Sequence, residues 1–200
     1  MDRMKGKVCV VTGGARGIGR GIAELFAREG AARVWALDVN AADFPAIEAV
    51  SPAIKGIVVD VTNAAAAAAF VERVRNESGR IDVLVNNAGI TRDALIQKMG
   101  DADWDAVINV NLKGVFIMTR AVAPVMMEGG SGAIVSISSI VGLDGNIGQT
   151  NYAATKGAVV SMTKGWAKEF ARKGAKVRAN AISPGYARTP MIATVPEKVL

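Results

Sequence analysis

A doubly wound α/β fold, a parallel sheet held between helices in three layers, is what this sequence predicts. Three observations carry the prediction. Short, continuously apolar runs recur along the chain, segments with helical period separate them, and a glycine-rich turn follows the first run. Apolarity without alternation marks strands buried on both faces of a parallel sheet. Strands of that kind alternating with helices build right-handed crossover units.

In chain order, strands are expected over 8–12, 33–38, 57–60, 81–86, 133–138 and 177–183, and helices over 18–28, 64–75, 104–127 and 152–172. The alanine run at 64–69 reads as ordinary helix, because alanine is the best helix former and Phe70, Val71 and Val74 follow at helical spacing. The second crossover, 40–54, holds Pro45 and Pro52, so any helix there is brief. No repeat or shift in composition divides the 200 residues, and a single domain over 1–200 is expected.

Composition narrows the function. Half the residues are apolar and 21% are charged, enough for a well-buried core. No apolar run approaches the length of a membrane span, and the N-terminus MDRMKGKVCVV lacks a signal-peptide layout. A soluble cytoplasmic protein with no membrane partner is expected. The lone Cys9 excludes a disulfide framework and a cysteine metal cluster. Histidine is absent, which removes Ser-His-Asp chemistry and His-ligated metals, and no metal is expected. Any acid–base group therefore comes from Tyr, Lys, Asp or Glu. The net charge of +6 is scattered over Arg16, Arg20, Lys55, Arg73, Lys113 and Lys164 without an aromatic-rich basic patch, so no nucleic-acid partner is expected.

The first strand runs into TGGARGIG, with Gly13, Gly17 and Gly19 spaced around Arg16 and Ile18. Glycines between a strand and a helix let the backbone approach a pyrophosphate, and the helix N-terminus offers it free N–H groups. No Lys-Ser/Thr follows, so the turn is not a P-loop. Asp38 ends the second strand nineteen residues after Gly19, where a carboxylate binds both ribose hydroxyls of adenosine and repels a 2′-phosphate. NAD(H) is therefore preferred. Arg16 could pair with that phosphate and keeps NADP(H) as the alternative.

Further along, NYAATKGA places Tyr152 and Lys156 one helical turn apart on one face. A free tyrosine has a pKa of about 10. A neighbouring cation favours the phenolate, so the pair forms an acid–base without histidine. Ser139 follows the fifth expected strand, at the strand end where α/β proteins place ligand-facing groups. NNAG closes the fourth strand, and NVNL sets Asn111 inside a long helix, an unfavourable place for asparagine.

Taken together, TGGARGIG, NNAG, NVNL, the Ser139/Tyr152/Lys156 set and S183-P-G185 resemble the short-chain dehydrogenase/reductase family over nearly the whole chain. NNAGITRDALI and GNIGQTNYAATKGA are most similar to its 3-oxoacyl-[acyl-carrier-protein] reductases. The resemblance implies a Rossmann-type fold and hydride transfer between a nicotinamide and a carbonyl or secondary alcohol. It implies that Tyr152 protonates the substrate oxygen, Lys156 lowers the tyrosine pKa and holds the nicotinamide ribose, and Ser139 bonds the substrate oxygen. Asn111 would anchor a proton-relay water. Asp60 and Val61 would edge the adenine, Asn87, Ala88 and Gly89 would line the cleft, and Pro184, Gly185 and Thr189 would lie against the nicotinamide.

Two expectations qualify the resemblance. The family usually continues for several tens of residues, so a last strand and helix are expected to be missing, with the substrate lid only begun at 186–200. A carrier protein is acidic, yet Glu128 stands where cations are wanted, leaving Arg172 and Lys173 to serve. The substrate is thus an acyl thioester, with an acyl-carrier protein as possible partner, or a small secondary alcohol or polyol. A non-catalytic cofactor-binding regulator is the reading from another class. Packing through the two long helices, with Ala153, Ala154, Gly157 and Ala158 at close contact, implies a homotetramer or homodimer.

Overall fold

The structure is a computed structural model and describes residues 2–187. Six strands form one sheet: β1 (Val8–Thr12), β2 (Arg33–Asp38), β3 (Ile54–Val58), β4 (Val83–Asn86), β5 (Ser131–Ile137) and β6 (Lys176–Ile182). Their order is β3-β2-β1-β4-β5-β6, and every pairing is parallel. The chain reverses its direction of winding between β1 and β4, which opens a crevice at the carboxyl ends of those two strands.

Seven α-helices are described: α1 (Gly17–Arg28), α2 (Phe44–Glu48), α3 (Ala64–Ser78), α4 (Asp101–Ile108), α5 (Gly114–Glu128), α6 (Val141–Asp144) and α7 (Thr150–Phe170). Alternate residues of β1 face opposite layers, as the strand period requires. Val8 and Val10 join Trp35, Leu84, Met118, Ile134 and Phe170 in one core, while Cys9 and Val11 join Ala23, Val34, Ile47 and Val85 in the other. Burial pushes the Cys9 thiol up to about 12, so it packs as an inert apolar group. The alanine run folds as α3, capped by the Asn63 side chain, which accepts from Ala66 N at 3.0 Å, and closed by Gly79 at φ 70°. The second crossover holds only the five-residue α2.

The structure moves several expected boundaries. β3 occupies 54–58 rather than 57–60, because Val59 and Val61 are buried beyond the strand while the strand itself is an edge that tolerates Lys55 and the exposed Val58. β4 starts at Val83 rather than 81, and β5 and β6 each begin and end earlier than expected. α7 begins at Thr150 and ends at Phe170, so Arg172 falls in a separate 3₁₀ turn.

The expected helix over 104–127 begins at Asp101 and is interrupted by one π-helical turn, Asn109–Lys113. The span Asp101–Glu128 is long and apolar enough to cross a membrane, a length that the sequence reading did not assign to any segment. Half of its most apolar window is buried in the fold, with Met118, Val122 and Met126 packed on the sheet, as befits a core helix.

Candidate active site

The glycine turn takes the form that a pyrophosphate requires. Gly13 and Gly17 have φ of 60° and 56°, a region that side chains disfavour. No side chain caps α1, in contrast to α3, and its first turn carries no acidic residue. The N–H groups at its start are therefore left for an anion. Arg16, exposed, is the N-cap residue, while Ile18 and the buried Gly19 begin the helix.

Gly19 is fixed for a second reason. A Cβ there would overlap Gly13 O and lie 2.6 Å from Asn87 Nδ2, so the helix could not sit against the turn. Gly21, one half-turn on, has nothing within 4 Å of its own imagined Cβ. Gly19→Ala is expected to lose about 1–3 kcal/mol of stability and most nucleotide affinity. Gly21→Ala is expected to gain up to about 1 kcal/mol from helix propensity. Thermal unfolding and nucleotide titration of the two variants check the contrast.

Thr12 and Asn87 hold the turn, and sequence reasoning gave Thr12 no role. Its hydroxyl oxygen accepts the N–H groups of Asn87 (2.9 Å) and Ala88 (3.0 Å) and donates to Val85 O (3.3 Å). The Asn87 amide donates back to Thr12 O (3.0 Å) and Gly13 O (3.1 Å). The turn after β1 is thus tied to the segment after β4, and Asn87, Ala88 and Gly89 line the crevice between them. A polar threonine closing an apolar run was the available signal.

Asp38 is 8% exposed at the end of β2, and its Oδ1 accepts from Asn40 N at 3.3 Å. The other carboxylate oxygen is left for a ribose. Asp60 lies just after β3 and holds its own turn, accepting from Thr62 N (2.8 Å) and Thr62 Oγ1 (2.7 Å). Val61 is buried in the core cluster, close against Gly114. Uncapped N–H groups, left-handed glycines and a ribose-ready carboxylate along one strand-end edge fit a nicotinamide dinucleotide.

Beyond β5, the chain separates two serines by burial. Ser138 is buried and donates to Lys156 O (2.7 Å), while Ser139 is half-buried and accepts from Val141 N (3.2 Å). Ser139 also faces Tyr152 closely enough to influence its ionisation. Of the two, Ser139 is the one turned toward the crevice.

The relation between Tyr152 and Lys156 departs from the expectation that the cation lowers the phenol pKa. Burial is the largest influence and raises the phenol above its ordinary value; the Ser139 hydroxyl opposes this, and the charge of Asp93 adds to it. The Lys156 ammonium lies 5.5 Å from the tyrosine ring centroid and donates instead to Ile137 O at 2.7 Å. Lys156 is 4% exposed, and burial holds its pKa down to about 8. In the ligand-free protein, burial sets the direction of both shifts.

Asn111 holds the neighbouring segment. It is fully buried in the π turn, and its amide pairs with both backbone groups of Ile90: Oδ1 accepts Ile90 N–H (2.8 Å) and Nδ2 donates to Ile90 O (2.9 Å). Its side chain is a clamp on the segment after β4 rather than a bond within its own helix. A Cβ on Gly89 would lie 3.3 Å from Asn111 Oδ1 and 3.7 Å from Lys156 Nζ, so all three meet at one point. A π turn at such a place is a common mark of function.

Pro184 and Gly185 follow β6, and Pro184 O accepts Ile140 N–H at 3.0 Å, which brings them beside Ser139. Thr189 and nearly all of the expected lid lie outside the described residues. Arg172 and Lys173 immediately precede β6, and Glu128 pairs with Arg75 (3.2 Å) where α5 ends before β5. All three sit at the edge where strands begin, whereas Tyr152 lies at the edge where they finish. Neither the worry over Glu128 nor the hope placed in Arg172 and Lys173 therefore concerns the crevice of this chain.

A six-stranded doubly wound sheet with a glycine turn at the β1/β4 switch point and Ser139, Tyr152 and Lys156 beside it defines a dinucleotide-dependent oxidoreductase fold. The model of the short chain dehydrogenase family matches residues 7–200, and the chain belongs to that family. It is accordingly an oxidoreductase acting between a CH–OH group and its carbonyl, in a family that uses NAD or NADP.

Among curated relatives, it is similar to the 3-oxoacyl-[acyl-carrier-protein] reductase FabG of Thermotoga maritima, 50% identical over 98% of this chain and 80% of the relative. It is also similar to the oxidoreductase UcpA of Escherichia coli, 42% identical over 98% of this chain and 74% of the relative. A crystal structure of a short-chain dehydrogenase/reductase from Burkholderia xenovorans superposes with a TM-score of 0.91 at 36% identity, over 97% of this chain and 79% of that one.

Proposed function

We propose that this chain reduces a 3-oxoacyl thioester to the 3-hydroxyacyl thioester, with NADH as the preferred reductant. The observation that carries the proposal is the half-buried Tyr152 and buried Lys156 facing Ser139 where β5 ends, beside the glycine turn. The relatives named for 3-oxoacyl reduction, at 41–50% identity, support the thioester as substrate. When bound, the cofactor supplies the hydride that adds to the carbonyl carbon.

The residues of this chain do the rest. Gly13, Gly17, Ile18 and Gly19 present N–H groups to the pyrophosphate, Arg16 lies alongside, and Asp38 receives the adenosine ribose. Asp60 and Val61 bound the adenine end, and Asn87, Ala88 and Gly89 form the floor between the halves. Pro184 and Gly185 complete the nicotinamide end. Ser139 orients the substrate oxygen by hydrogen bonding. Tyr152 holds a proton at its phenolic oxygen and releases it to that oxygen as charge develops there. The raised phenol pKa keeps this proton in place until charge appears nearby. Lys156, fixed by Ile137 O, supplies positive charge beside the resulting phenolate and binds the nicotinamide ribose. Asn111 fixes the segment that forms one wall.

A carrier protein or coenzyme A could each carry the acyl group. The same reading makes the protein a cytoplasmic homotetramer or homodimer, pairing through the long α5 and α7. Phe116 on α5 supports this, being 41% exposed with the Arg120 guanidinium 4.8 Å above its ring. Within the chain, Gly157 already packs against Gly142, with its imagined Cβ 3.0 Å from Gly142 O, so that part of the small-residue stripe is used internally.

A panel of acetoacetyl-CoA, acetoacetyl-carrier protein and simple ketones, each with NADH and NADPH, tests the proposal. Turnover of an acetoacetyl thioester with NADH is expected, and a panel in which only simple ketones react would overturn the thioester reading. Asp38→Ala is expected to shift the NADH:NADPH ratio of kcat/KM toward NADPH by at least about tenfold, equal to ~1.4 kcal/mol. A wild-type enzyme strongly preferring NADPH would refute the role given to Asp38.

A further inference from the structure

One buried residue beside Tyr152 is accounted for neither by cofactor binding nor by proton transfer. Asn151 is fully buried near the start of α7. Its Oδ1 accepts the Tyr152 N–H at 2.7 Å, while its Nδ2 donates to Arg92 O at 2.9 Å and reaches Asp103 O at 3.4 Å. A side chain serving only to begin a helix would use its oxygen alone. Here the amide nitrogen joins two further elements, the segment after β4 and the first turn of α4.

Two neighbouring contacts follow the same line. Ala94 N–H donates to Gly148 O (2.9 Å), and Gln149 Nε2 donates to Asp93 Oδ2 (2.9 Å). Gly148, at φ 75°, lies with its imagined Cβ 3.7 Å from the Ala94 backbone. Residues 92–94 are thereby stitched to 148–152. The other end of the same segment is held by the Asn111 clamp on Ile90. Residues 90–94 thus run from the cofactor floor at Gly89 to the backbone of Tyr152, fixed at each end by a buried asparagine.

We infer that Asn151 is a positioning residue, whose amide sets the place of the Tyr152 backbone against the wall formed by residues 90–94. The inference rests on the proposed role of Tyr152 for its kinetic consequence, though not for its structural one. A reacting group displaced by about 1 Å costs about a hundredfold in rate. Asn151→Ala leaves both the Tyr152 N–H and Arg92 O without their partner, and a buried unpaired group shifts until it finds one.

The test combines steady-state kinetics with amide hydrogen exchange on the whole chain. Asn151→Ala is expected to lower kcat about a hundredfold, with the KM for cofactor unchanged and faster exchange in both the 90–95 and 150–156 segments. Asn151→Asp keeps an acceptor for Tyr152 N–H but, ionised, offers Arg92 O no donor. It is expected to stay slow and to exchange fast over 90–95. Gln149→Leu, at the half-buried edge, is expected to lose roughly fivefold in kcat and keeps the inference testable if the alanine variant does not fold. Wild-type kcat in the aspartate variant, or unchanged exchange over 90–95 in the alanine variant, would overturn the inference. Exchange needs no substrate, so failure of the wild type to turn over a thioester would count against the proposed reaction alone.

Discussion

Tyr152→Phe is expected to bind cofactor as the wild type does and to lose kcat by about 10²–10⁴-fold, the usual worth of a positioned general acid. The ring is retained, so the packing around it survives, and only the phenolic proton is lost. With histidine absent, loss of the phenol removes the proton donor that stands beside Ser139. The change should therefore fall on kcat and on kcat/KM alike, the pattern of an interaction made only in the transition state. Cofactor titration and initial rates on the same preparation measure both quantities. Near-wild-type turnover in this variant would remove Tyr152 from the chemistry.

Lys156→Met is expected to abolish most activity while making the ligand-free protein more stable at neutral pH. The ammonium is 4% exposed, its hydrogen bond goes to a neutral carbonyl, and burial lowers its pKa from 10.5 to about 8. The folded state thus binds fewer protons than the unfolded state between about pH 8 and 10.5, so stability rises with pH across that window. Below it, the buried cation costs on the order of 3 kcal/mol, at about 1.4 kcal/mol for each pH unit of displacement. Methionine removes this cost but leaves Ile137 O without its donor, which takes back about 1–2 kcal/mol. A net gain of about 1–2 kcal/mol is expected at pH 7. It shrinks as pH rises and reverses between about pH 9 and 10, where the folded-state lysine is already neutral and the lost donor to Ile137 O outweighs the remaining cost. Thermal unfolding of both proteins at pH 7 and pH 10 tests the inversion. A site that keeps a costly cation in place without ligand is trading stability for activity.

The sheet was legible in the sequence because a buried parallel strand advertises itself. Residues 8–12, 33–38 and 83–86 have no polar interruption other than those at their ends. β3 was misplaced because an edge strand need not be apolar, and the apolar residues Val59 and Val61 pack in the core after the strand has ended. The π turn at Asn109–Lys113 is invisible to hydrophobic periodicity, which continues smoothly across it. Only the awkwardness of Asn111 within a helix marked the place. The same reasoning applied to Asn151 would have singled it out, but its partners, Arg92 and Asp103, are about fifty residues away and no local pattern names them. Thr12 escaped for a similar reason, since its partners lie beyond β4.

Electrostatics was the least legible part. The spacing of Tyr152 and Lys156 placed them together correctly, but the depth of burial of each decides which way a proton is held, and that depth is a property of the packed fold. The phenol is raised and the ammonium lowered in the ligand-free protein. Each departs from its ordinary value toward the neutral form.

The most direct measurement of the central claim follows the hydride itself. The chain is incubated with acetoacetyl-CoA and NADH carrying deuterium at its transferable position, and the product is examined by mass spectrometry. Deuterium on the carbon bearing the new hydroxyl group, formed by the wild type and not by Tyr152→Phe, is the predicted result. No reduced product from the wild type, or equal labelling of product by both proteins, would contradict it.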